Sequence, residues 1–352
     1  MHIYKNNRKK CVTISERGLI MEKSYYCEKL EHSLNILPDR ISFCCSCAEG
    51  CHFNIDNYNE LDFNKIFNKR NEYIEQMKHG VIPHECSGCC EYKEYPPKTF
   101  LQKIIEKLFK NEKSSDKGKI NYIVINHFKQ CECNCVYCAQ KILYPTYKQT
   151  FNSLPIIQEL FNKNLVVGEN LHVEFQGGNV SLLNEFDSLI DELKKHNTKQ
   201  YSILTNGIKW LPAIEKIKDN TNSLISCSLD CGTPETFKKI KNIDGFNSVI
   251  ENLKRIKNST ELTISLKYII LEGINDNIEE LNAFLNIAKE INSCVTIEID
   301  YRKLFMNSPE KYKIPQKYYD MYNYAERFCN ENNIIYKVSN YIQQVLDRGY
   351  NF

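Results

Sequence analysis

The chain has 352 residues, of which 42% are hydrophobic and 26% charged, and its formal net charge is +2. A near-neutral charge argues against a large nucleic-acid-binding surface, because such a surface usually carries a strong excess of Lys and Arg. No stretch of about 18 apolar residues is present to span a bilayer, and no signal-peptide-like apolar run follows the basic segment Met1–Lys10, so we expect a cytoplasmic protein that does not contact a membrane.

Of the 17 cysteines, 11 lie in three short groups and are not spread along the chain as disulfide partners would be. In a chain expected to be intracellular, such grouping indicates metal binding. Three groups contain Cys44, Cys45, Cys47 and Cys51; Cys86, Cys89 and Cys90; and Cys131, Cys133, Cys135 and Cys138. We expect one metal site in the N-terminal region and another in the third group.

An amphipathic helix is predicted over residues 61–78, between the two N-terminal cysteine groups. Its apolar side chains stand among charged ones: Leu61, Phe63, Ile66, Phe67, Ile74 and Met77. The helix is followed by a P-x-x-C-x-x-C sequence from Pro83 to Cys89. This arrangement resembles the SPASM and twitch type of auxiliary iron–sulfur module, which in its own family follows the main domain and does not precede it.

The N-terminal metal site has two interpretations. Two CxxC pairs, formed by Cys44 with Cys47 and by Cys86 with Cys89, suit a tetrahedral zinc ion. The resemblance to the auxiliary module favours instead a second iron–sulfur cluster held by these thiolates. Such a cluster would bind substrate through an open iron or carry electrons, and ligation by four cysteines would favour electron transfer.

The polar segment at residues 110–119 contains no apolar side chain and predicts a domain boundary. Downstream of it, apolar strands alternate with amphipathic helices. The predicted strands are Tyr122–Ile125, Leu171–Phe175, Tyr201–Leu204, Leu224–Leu229, Leu262–Ile270 and Val295–Ile299. This alternation predicts a parallel sheet or barrel. We expect a cysteine-rich domain at 1–118, an α/β domain at 119–305, and a C-terminal helical and strand cap at 306–352.

Several helices of the α/β domain are predicted in detail. The helix after the second strand carries apolar residues at helical spacing: Leu182, Leu183, Phe186, Leu189, Ile190 and Leu193. Thr233 places a capping hydroxyl before a proline at the first helical position. Asp276 and Glu279 have the spacing of a capping box. In the C-terminal segment we expect a helix over 316–330 and another near 341–346.

The third cysteine group indicates redox chemistry. Cys131, Cys135 and Cys138 have a Cx3Cx2C spacing, and Tyr137 stands directly before the last cysteine. Three thiolates hold three irons of a [4Fe-4S] cluster and leave one iron open to a ligand. Structural zinc is the alternative, but the CxCxC spacing is too cramped for all its sulfurs to face one ion. Cys133 is expected to be a bystander.

This spacing and Tyr137 resemble the CxxxCxΦC signature, with Φ an aromatic residue, of the radical S-adenosylmethionine (SAM) enzymes. The resemblance implies that SAM chelates the open iron, and that an electron from the cluster cleaves it to a 5'-deoxyadenosyl radical that abstracts hydrogen. It also implies an external one-electron donor such as flavodoxin or ferredoxin. The fold of that family is a partial (β/α)6 barrel of the TIM type, which the six predicted strands match over residues 120–305.

Further candidates for SAM binding stand after the second and fourth strands. Gly177, Gly178 and Asn179 resemble the GGEP motif of the family, whose glutamate holds the SAM amino group. Asn179 replaces that glutamate, and its amide oxygen accepts a hydrogen bond without a full charge. Ser228 is the candidate for the SAM ribose. The alternative for these residues is a purely local role in turns and helix caps.

The resemblance leaves three functions open. Relatives with auxiliary clusters modify peptides or oxidise small molecules, so hydrogen abstraction from a peptide or small metabolite is the first prediction. Methyl transfer or tRNA modification is the second. The third is a non-catalytic SAM-binding or metal-binding relative, which Asn179 favours because it departs from the family motif.

Overall fold

The computed structural model describes residues 23–44, 52–54, 61–86, 89, 92–95, 118–138, 140, 151–300, 302 and 314–338. The chain divides into two compact units. The first comprises Met1–Ser33, Ser42–Phe53 and Glu60–Gly118, and the second comprises Leu34–Ile41, Asn54–Asn59 and Lys119–Phe352. The predicted division into three domains stays a prediction.

The first unit contains a short antiparallel ribbon and two helices. Its elements are β1 (Tyr25–Tyr26), α1 (Glu28–His32), α2 (Phe63–Lys78) and β5 (Lys93–Glu94). Strands β1 and β5 pair in antiparallel register, with Tyr25 opposite Glu94. Three further short strands have residues in both units: β2 (Ser33–Ile36), β3 (Arg40–Ser42) and β4 (His52–Asn54).

Helix α2 confirms the predicted amphipathic helix. It begins after Asp62, whose carboxylate accepts the backbone N–H groups of Asn64 and Lys65 at 3.0 and 3.2 Å, as an N-cap residue does. The predicted apolar positions form most of its buried face, which consists of Phe63, Ile66, Phe67, Arg70, Tyr73, Ile74 and Met77.

Arg70 is a charged member of that face which hydropathy alone does not predict. Its guanidinium donates to the carbonyl oxygen of Gly118 at 2.7 Å and to that of Glu31 at 3.3 Å. It also lies 5.3 Å from the ring centroid of Phe43 and 4.7 Å from that of Phe67. Hydrogen bonds and cation–π contacts together compensate for burying this charge.

The second unit is built on seven consecutive parallel strands. They are β6 (Tyr122–Ile125), β7 (His172–Phe175), β8 (Gln200–Thr205), β9 (Leu224–Ser228), β10 (Thr263–Ile270), β11 (Cys294–Ile299) and β12 (Tyr336–Val338). Each strand pairs in parallel with the next. The first six confirm the predicted strands, and β12 is a seventh that lies beyond them. Beyond β6 the sheet continues through residues 34–36 and 40–41.

Helices connect these strands. They are α3 (Leu154–Asn162), α4 (Phe186–Lys195), α5 (Pro234–Lys241), α6 (Phe246–Ser259), α7 (Ile278–Ile291) and α8 (Gln316–Glu331). Shorter 3-10 helices occupy His84–Cys86, Gly168–Asn170, Val180–Leu182 and Pro212–Lys216. Because each pair of neighbouring strands from β6 to β12 is parallel, the carboxyl ends of these seven strands lie on one edge of the sheet, where βα folds place their sites.

Two details of the predicted helices are corrected. The segment carrying Leu182 and Leu183 precedes helix α4 and is not part of it, because their N–H groups donate to carbonyls three residues earlier, which is 3-10 geometry. Helix α7 is capped by Asn277, which accepts the N–H of Glu280 at 2.9 Å, and not by Asp276. Asp276 pairs with Lys317 of α8. The predicted cap at Thr233 is confirmed, with the N–H of Thr236 donating to its hydroxyl.

The C-terminal segment adds helix α8 and strand β12 to the second unit. Helix α8 confirms the predicted helix over 316–330, and Tyr324 on it donates to Asn282 of α7 at 2.7 Å. The helix predicted near 341–346 lies outside the described residues, and the predicted cap over the sheet edge stays a prediction. Among the described helices, none combines the length and apolar character needed to cross a membrane.

Candidate functional site

The third cysteine group lies on a loop that follows β6 at the carboxyl edge of the sheet. Residues 126–138 form this cysteine loop. The N–H of Asn134 donates to the carbonyl of Lys241 and the N–H of Val136 to that of Ile240, both at 2.9 Å. These two carbonyls belong to the last turn of α5 and have no partner inside their own helix. The cysteine loop therefore completes the C-terminus of α5 and is held there by backbone contacts.

The thiols of the cysteine loop differ in exposure. Cys131 is exposed, Cys135 and Cys138 are half-buried, and Cys133 is buried. The Cys133 thiol nevertheless contacts its neighbours: hydrogen bonding with Cys131 and Cys135 raises the pKa of Cys133, and the bond from Cys133 lowers the pKa of Cys131. Asn206, after β8, donates its side-chain N–H to Cys133 Sγ at 3.2 Å. The residue predicted to be a bystander thus lies among the candidate ligands.

The donor set of the cysteine loop fits an iron–sulfur cluster. Cys131, Cys135 and Cys138 stand on one short loop at the open edge of a parallel sheet, and three thiolates leave one iron of a [4Fe-4S] cluster for an external ligand. In the portion of the chain that the structure describes, no three Cys, His, Asp or Glu side chains are placed to hold a single metal ion. The three cysteines remain predicted ligands.

The two glycines after β7 bring their loop against the cysteine loop. The N–H of Gly178 donates to the carbonyl of Phe128 at 3.0 Å, and that of Asn179 to the carbonyl of Gln130 at 2.7 Å. A Cβ at Gly177 would overlap the carbonyl oxygen of Phe128, and one at Gly178 would overlap that of Gln130. The close approach predicted toward a ligand is observed here toward the cysteine loop.

We expect Gly178→Ala to lower the free energy of unfolding by about 2–4 kcal/mol, because the added methyl overpacks a backbone contact and breaks two hydrogen bonds. The matched control is Gly273→Ala, since a Cβ at Gly273 meets no atom within 4 Å. Gly273→Ala should lower the free energy of unfolding by about 1–2 kcal/mol, because the alanine must adopt the left-handed backbone conformation of Gly273. Urea unfolding of the two apoproteins tests the difference, and equal losses would contradict the proposed contact.

Asn179 is fully buried at the junction of these loops. Its amide oxygen accepts the hydroxyl of Thr205 at 3.0 Å. Its amide nitrogen lies 2.9 and 3.0 Å from the two carboxylate oxygens of Glu132, and it also faces Ser181 and Asn206. Asn179 therefore links the end of β8 to the residue that follows Cys131.

Tyr137, the aromatic residue of the motif, belongs to a buried polar triad. Its hydroxyl donates to Asp230 Oδ2 at 2.5 Å and accepts from Lys241 Nζ at 2.9 Å. Lys241 and Asp230 form an ion pair at 2.5 Å, with side chains 1% and 0% exposed. Burial alone would lower the pKa of Lys241, but Asp230 and the other nearby acidic groups raise it well above its ordinary value. Burial raises the pKa of Tyr137.

Asp230 also ties the end of β9 to β10. Its backbone has a positive φ of 62°, which Asp tolerates better than most residues. Its Oδ1 accepts the N–H of Ile269 at 2.9 Å, and its carbonyl accepts from Asn275 at 2.7 Å. Asn275 is fully buried and also accepts the N–H of Leu271 at 2.6 Å. Asp230 and Asn275 thus anchor the backbone that follows β10 to the end of β9.

Sequence analysis did not single out Lys241 or Asp230 as site residues. One signal was available for Lys241: it stands four residues after Phe237, a buried residue of α5, so the helical period places it on the buried face. For Asp230 the only signal was its position after a strand, which also suits an ordinary turn.

Lys129 bears on the electrostatics of the cysteine loop. Lys129 donates to Asn126 Oδ1 at 2.8 Å, and burial lowers the pKa of Lys129 to about 8, although Cys138 and Asp39 act in the opposite direction.

Ser228, the predicted ribose contact, is the half-buried last residue of β9 and pairs in register with Lys267. Its predicted role stays a prediction.

The N-terminal cysteines are described only in part. Cys44, Cys86 and Cys89 are half-buried, and Cys47 lies outside the described residues. The N–H of Cys86 donates to the carbonyl of Pro83 at 2.9 Å, so this part of the P-x-x-C-x-x-C sequence forms a tight turn, and the N–H of Cys89 donates to the carbonyl of Cys86 at 3.0 Å. Both interpretations, zinc and an iron–sulfur cluster, stay open for this group.

Comparison with known families identifies a part of the second unit. Residues 125–285 match the sequence profile of the Radical SAM superfamily. These residues form a radical SAM domain. The predicted family is therefore confirmed, and with it the [4Fe-4S] cluster and SAM as cofactors that the family uses. The radical SAM domain contains the cysteine loop, the glycine pair, and the triad of Tyr137, Asp230 and Lys241.

Two relatives of this radical SAM domain are named GTP 3',8-cyclase. The protein from Clostridium botulinum (strain Okra / Type B1) is 27% identical over 176 residues, which cover 49% of this chain and 54% of the relative. That from Nautilia profundicola is 28% identical over 182 residues, or 51% of this chain and 55% of the relative. The chain spans about half the length of the curated relatives it matches.

A solved structure supports the fold of the radical SAM domain. Streptococcus suis SuiB, crystallised with the precursor peptide SuiA, matches with a TM-score of 0.51 and 12% sequence identity. The match covers 84% of this chain and 71% of the SuiB chain. At this identity the likeness shows a shared fold alone. It confirms the predicted α/β class with a partial TIM-type barrel.

Proposed function

We propose that this chain is a radical SAM enzyme that abstracts a hydrogen atom from a peptide or a small molecule. Cys131, Cys135 and Cys138 would hold three irons of a [4Fe-4S] cluster and leave the fourth open to SAM. When bound, the cluster would supply the one electron that cleaves SAM to methionine and a 5'-deoxyadenosyl radical, so that hydrogen transfer from the substrate would yield 5'-deoxyadenosine and a substrate radical.

The position of the cysteine loop carries this proposal. The loop follows the first strand of the parallel series, at the carboxyl edge where βα folds assemble their active sites. Its backbone is bonded to α5 at Asn134 and Val136, and to the glycine loop at Phe128 and Gln130. Two separate elements thus support the segment that carries the three thiols, while Cys131 stays exposed.

Two observations bear on the class of substrate, and each favours a different one. Relatives named GTP 3',8-cyclase match the radical SAM domain, and this favours a small molecule, with a nucleotide as one candidate. Cysteines at residues 44–51 and 86–90 favour a second cluster of the kind found in peptide-modifying relatives. An external one-electron donor, such as flavodoxin or ferredoxin, completes the reaction in either case.

Anaerobic reconstitution tests the proposal. We expect about four irons and four sulfides per chain from the radical SAM cluster alone, or about eight if the N-terminal cysteines hold a second cluster. The EPR spectrum of the reduced protein should change when SAM is added. With dithionite as electron donor, 5'-deoxyadenosine should appear by mass spectrometry, and it should not appear when dithionite is omitted.

The same experiment separates the competing functions. An EPR spectrum indifferent to SAM, together with no 5'-deoxyadenosine, would contradict the proposal and favour a non-catalytic relative. Formation of S-adenosylhomocysteine would favour methyl transfer. About four irons accompanied by bound zinc would assign the N-terminal cysteines to a structural zinc site.

A further inference from the structure

The buried ion pair of Lys241 and Asp230 lies directly against the cysteine loop. The carbonyl of Lys241 accepts the N–H of Asn134 at 2.9 Å, and its ammonium donates to the hydroxyl of Tyr137 at 2.9 Å. Asn134 directly precedes Cys135, and Tyr137 follows Cys135 by two residues. A single residue of α5 thus contacts the loop on both sides of a predicted iron ligand.

Lys241 carries a charge that surrounding water hardly screens. Among the described residues of the radical SAM domain, it is the only buried lysine or arginine, and its side chain is 1% exposed. Burial by itself would lower the pKa of Lys241, but Asp230, Tyr137 and Cys135 raise it. The residue is therefore protonated, and its ammonium interacts with the Cys135 thiol. Such interactions are stronger in a buried, low-dielectric environment than at the surface.

The charges of this ion pair bear on the redox behaviour of a cluster in the loop. A [4Fe-4S] cluster gains one negative charge when it is reduced, and its potential depends on the charges and hydrogen bonds around it. A nearby positive charge stabilises the reduced form and raises the reduction potential, whereas a negative charge lowers it. Both Lys241 and Asp230 bond to the hydroxyl of Tyr137, which stands between Cys135 and Cys138 in the sequence. The pair is therefore placed to act on the cluster.

We propose that Lys241 and Asp230 set the reduction potential of the [4Fe-4S] cluster in the cysteine loop, with Lys241 raising it and Asp230 lowering it. The inference rests on the proposed function, since it requires that cluster, but it is independent of the substrate. In the one-electron step the cluster is reduced and the external donor is oxidised, while Lys241 keeps its proton and Asp230 its charge. The pair thereby determines how strong an electron donor the protein requires.

Redox titration of the reconstituted protein, followed by EPR in the absence of SAM, tests the proposal. Lys241→Met should lower the reduction potential, and Asp230→Asn should raise it. We expect each change to alter the ratio of reduced to oxidised cluster at a fixed potential about tenfold, which equals about 59 mV for a one-electron couple. Lys239→Met is the matched control, because Lys239 is an exposed lysine of the same helix and solvent screens its charge. Its shift should be much smaller.

The opposite signs of the two shifts separate an electrostatic effect from a structural one. If the triad only held the loop in place, breaking it would move both potentials in the same direction or leave both unchanged, and either result would overturn the proposal. If Lys241→Met fails to hold the cluster, the double variant Lys241→Met with Asp230→Asn is compared with Asp230→Asn alone. These two proteins differ only at residue 241, so the double variant should have the lower potential, and equal potentials would refute the proposal.

Failure of the proposed function gives a different result. The EPR signal of this cluster is the one that is absent when the three predicted ligands, Cys131, Cys135 and Cys138, are replaced by alanine. An unaltered protein that shows this signal but forms no 5'-deoxyadenosine would contradict the proposed function, and the shifts between variants would still decide the role of the ion pair. An unaltered protein without this signal would overturn both.

Discussion

Replacing Lys241 with methionine is expected to lower the free energy of unfolding by about 3–5 kcal/mol, the typical cost of removing one partner of a buried ion pair. The reason is that Asp230, 0% exposed, would keep its charge and lose its counterion. Urea unfolding of the apoprotein, followed by circular dichroism, measures this loss. The double variant Lys241→Met with Asp230→Asn should recover much of it, because asparagine removes the charge and its side-chain oxygen still accepts the N–H of Ile269.

A surface ion pair provides the control for the Lys241 variant. Lys254 and Glu290 lie 2.6 Å apart, but their side chains are 46% and 59% exposed. Lys254→Met should therefore cost less than about 1 kcal/mol. If Lys241→Met cost no more than Lys254→Met, the buried triad would not be a stabilising element of the radical SAM domain. If the double variant kept full stability while Lys241→Met did not, the uncompensated charge of Asp230 would be the cause of the destabilisation.

Replacing Cys131, Cys135 and Cys138 together by alanine is expected to remove about four irons per chain. The three thiolates are the proposed ligands of the SAM-binding cluster, and the N-terminal cysteines at 44–51 and 86–90 are left intact. Any iron held in the N-terminal region should therefore remain. Iron and sulfide are counted after anaerobic reconstitution of both proteins. An unchanged iron content would refute the ligand assignment.

Cys133→Ala is the matched control for the triple variant. Cys133 is buried and its thiol contacts those of Cys131 and Cys135, so a four-cysteine site including Cys133 is the specific competitor. Under the proposed assignment the Cys133→Ala protein keeps its four irons and its SAM-dependent EPR change. Loss of iron from this variant would place Cys133 among the ligands. Four cysteines would then bind all four irons, and none would be left open for SAM.

The parallel sheet could be predicted from sequence because its strands are local features. Each of the six predicted strands is a short apolar run bounded by polar residues, and the amphipathic segments between them follow the helical period. The same holds for α2, where Asp62 and the apolar positions from Phe63 to Met77 lie within one segment. Local patterns of this kind require no knowledge of distant residues.

The partners of the candidate site could not be predicted because they are distant in sequence. Tyr137 lies 93 residues before Asp230 and 104 before Lys241, and Glu132 lies 47 residues before Asn179. The glycine pair illustrates the limit well. Sequence identified Gly177 and Gly178 as places where backbones approach closely, but only the fold shows that the approaching backbone is that of the cysteine loop.

The attachment of the cysteine loop to α5 bears on when the cofactor can be inserted during biosynthesis. A ribosome makes Tyr137 104 residues before it makes Lys241, whose carbonyl and that of Ile240 hold the loop. A nascent chain that ends before α5 presents all three cysteines without this support. The contacts that hold the cysteine loop against α5 can therefore form only after residue 241 has been synthesised.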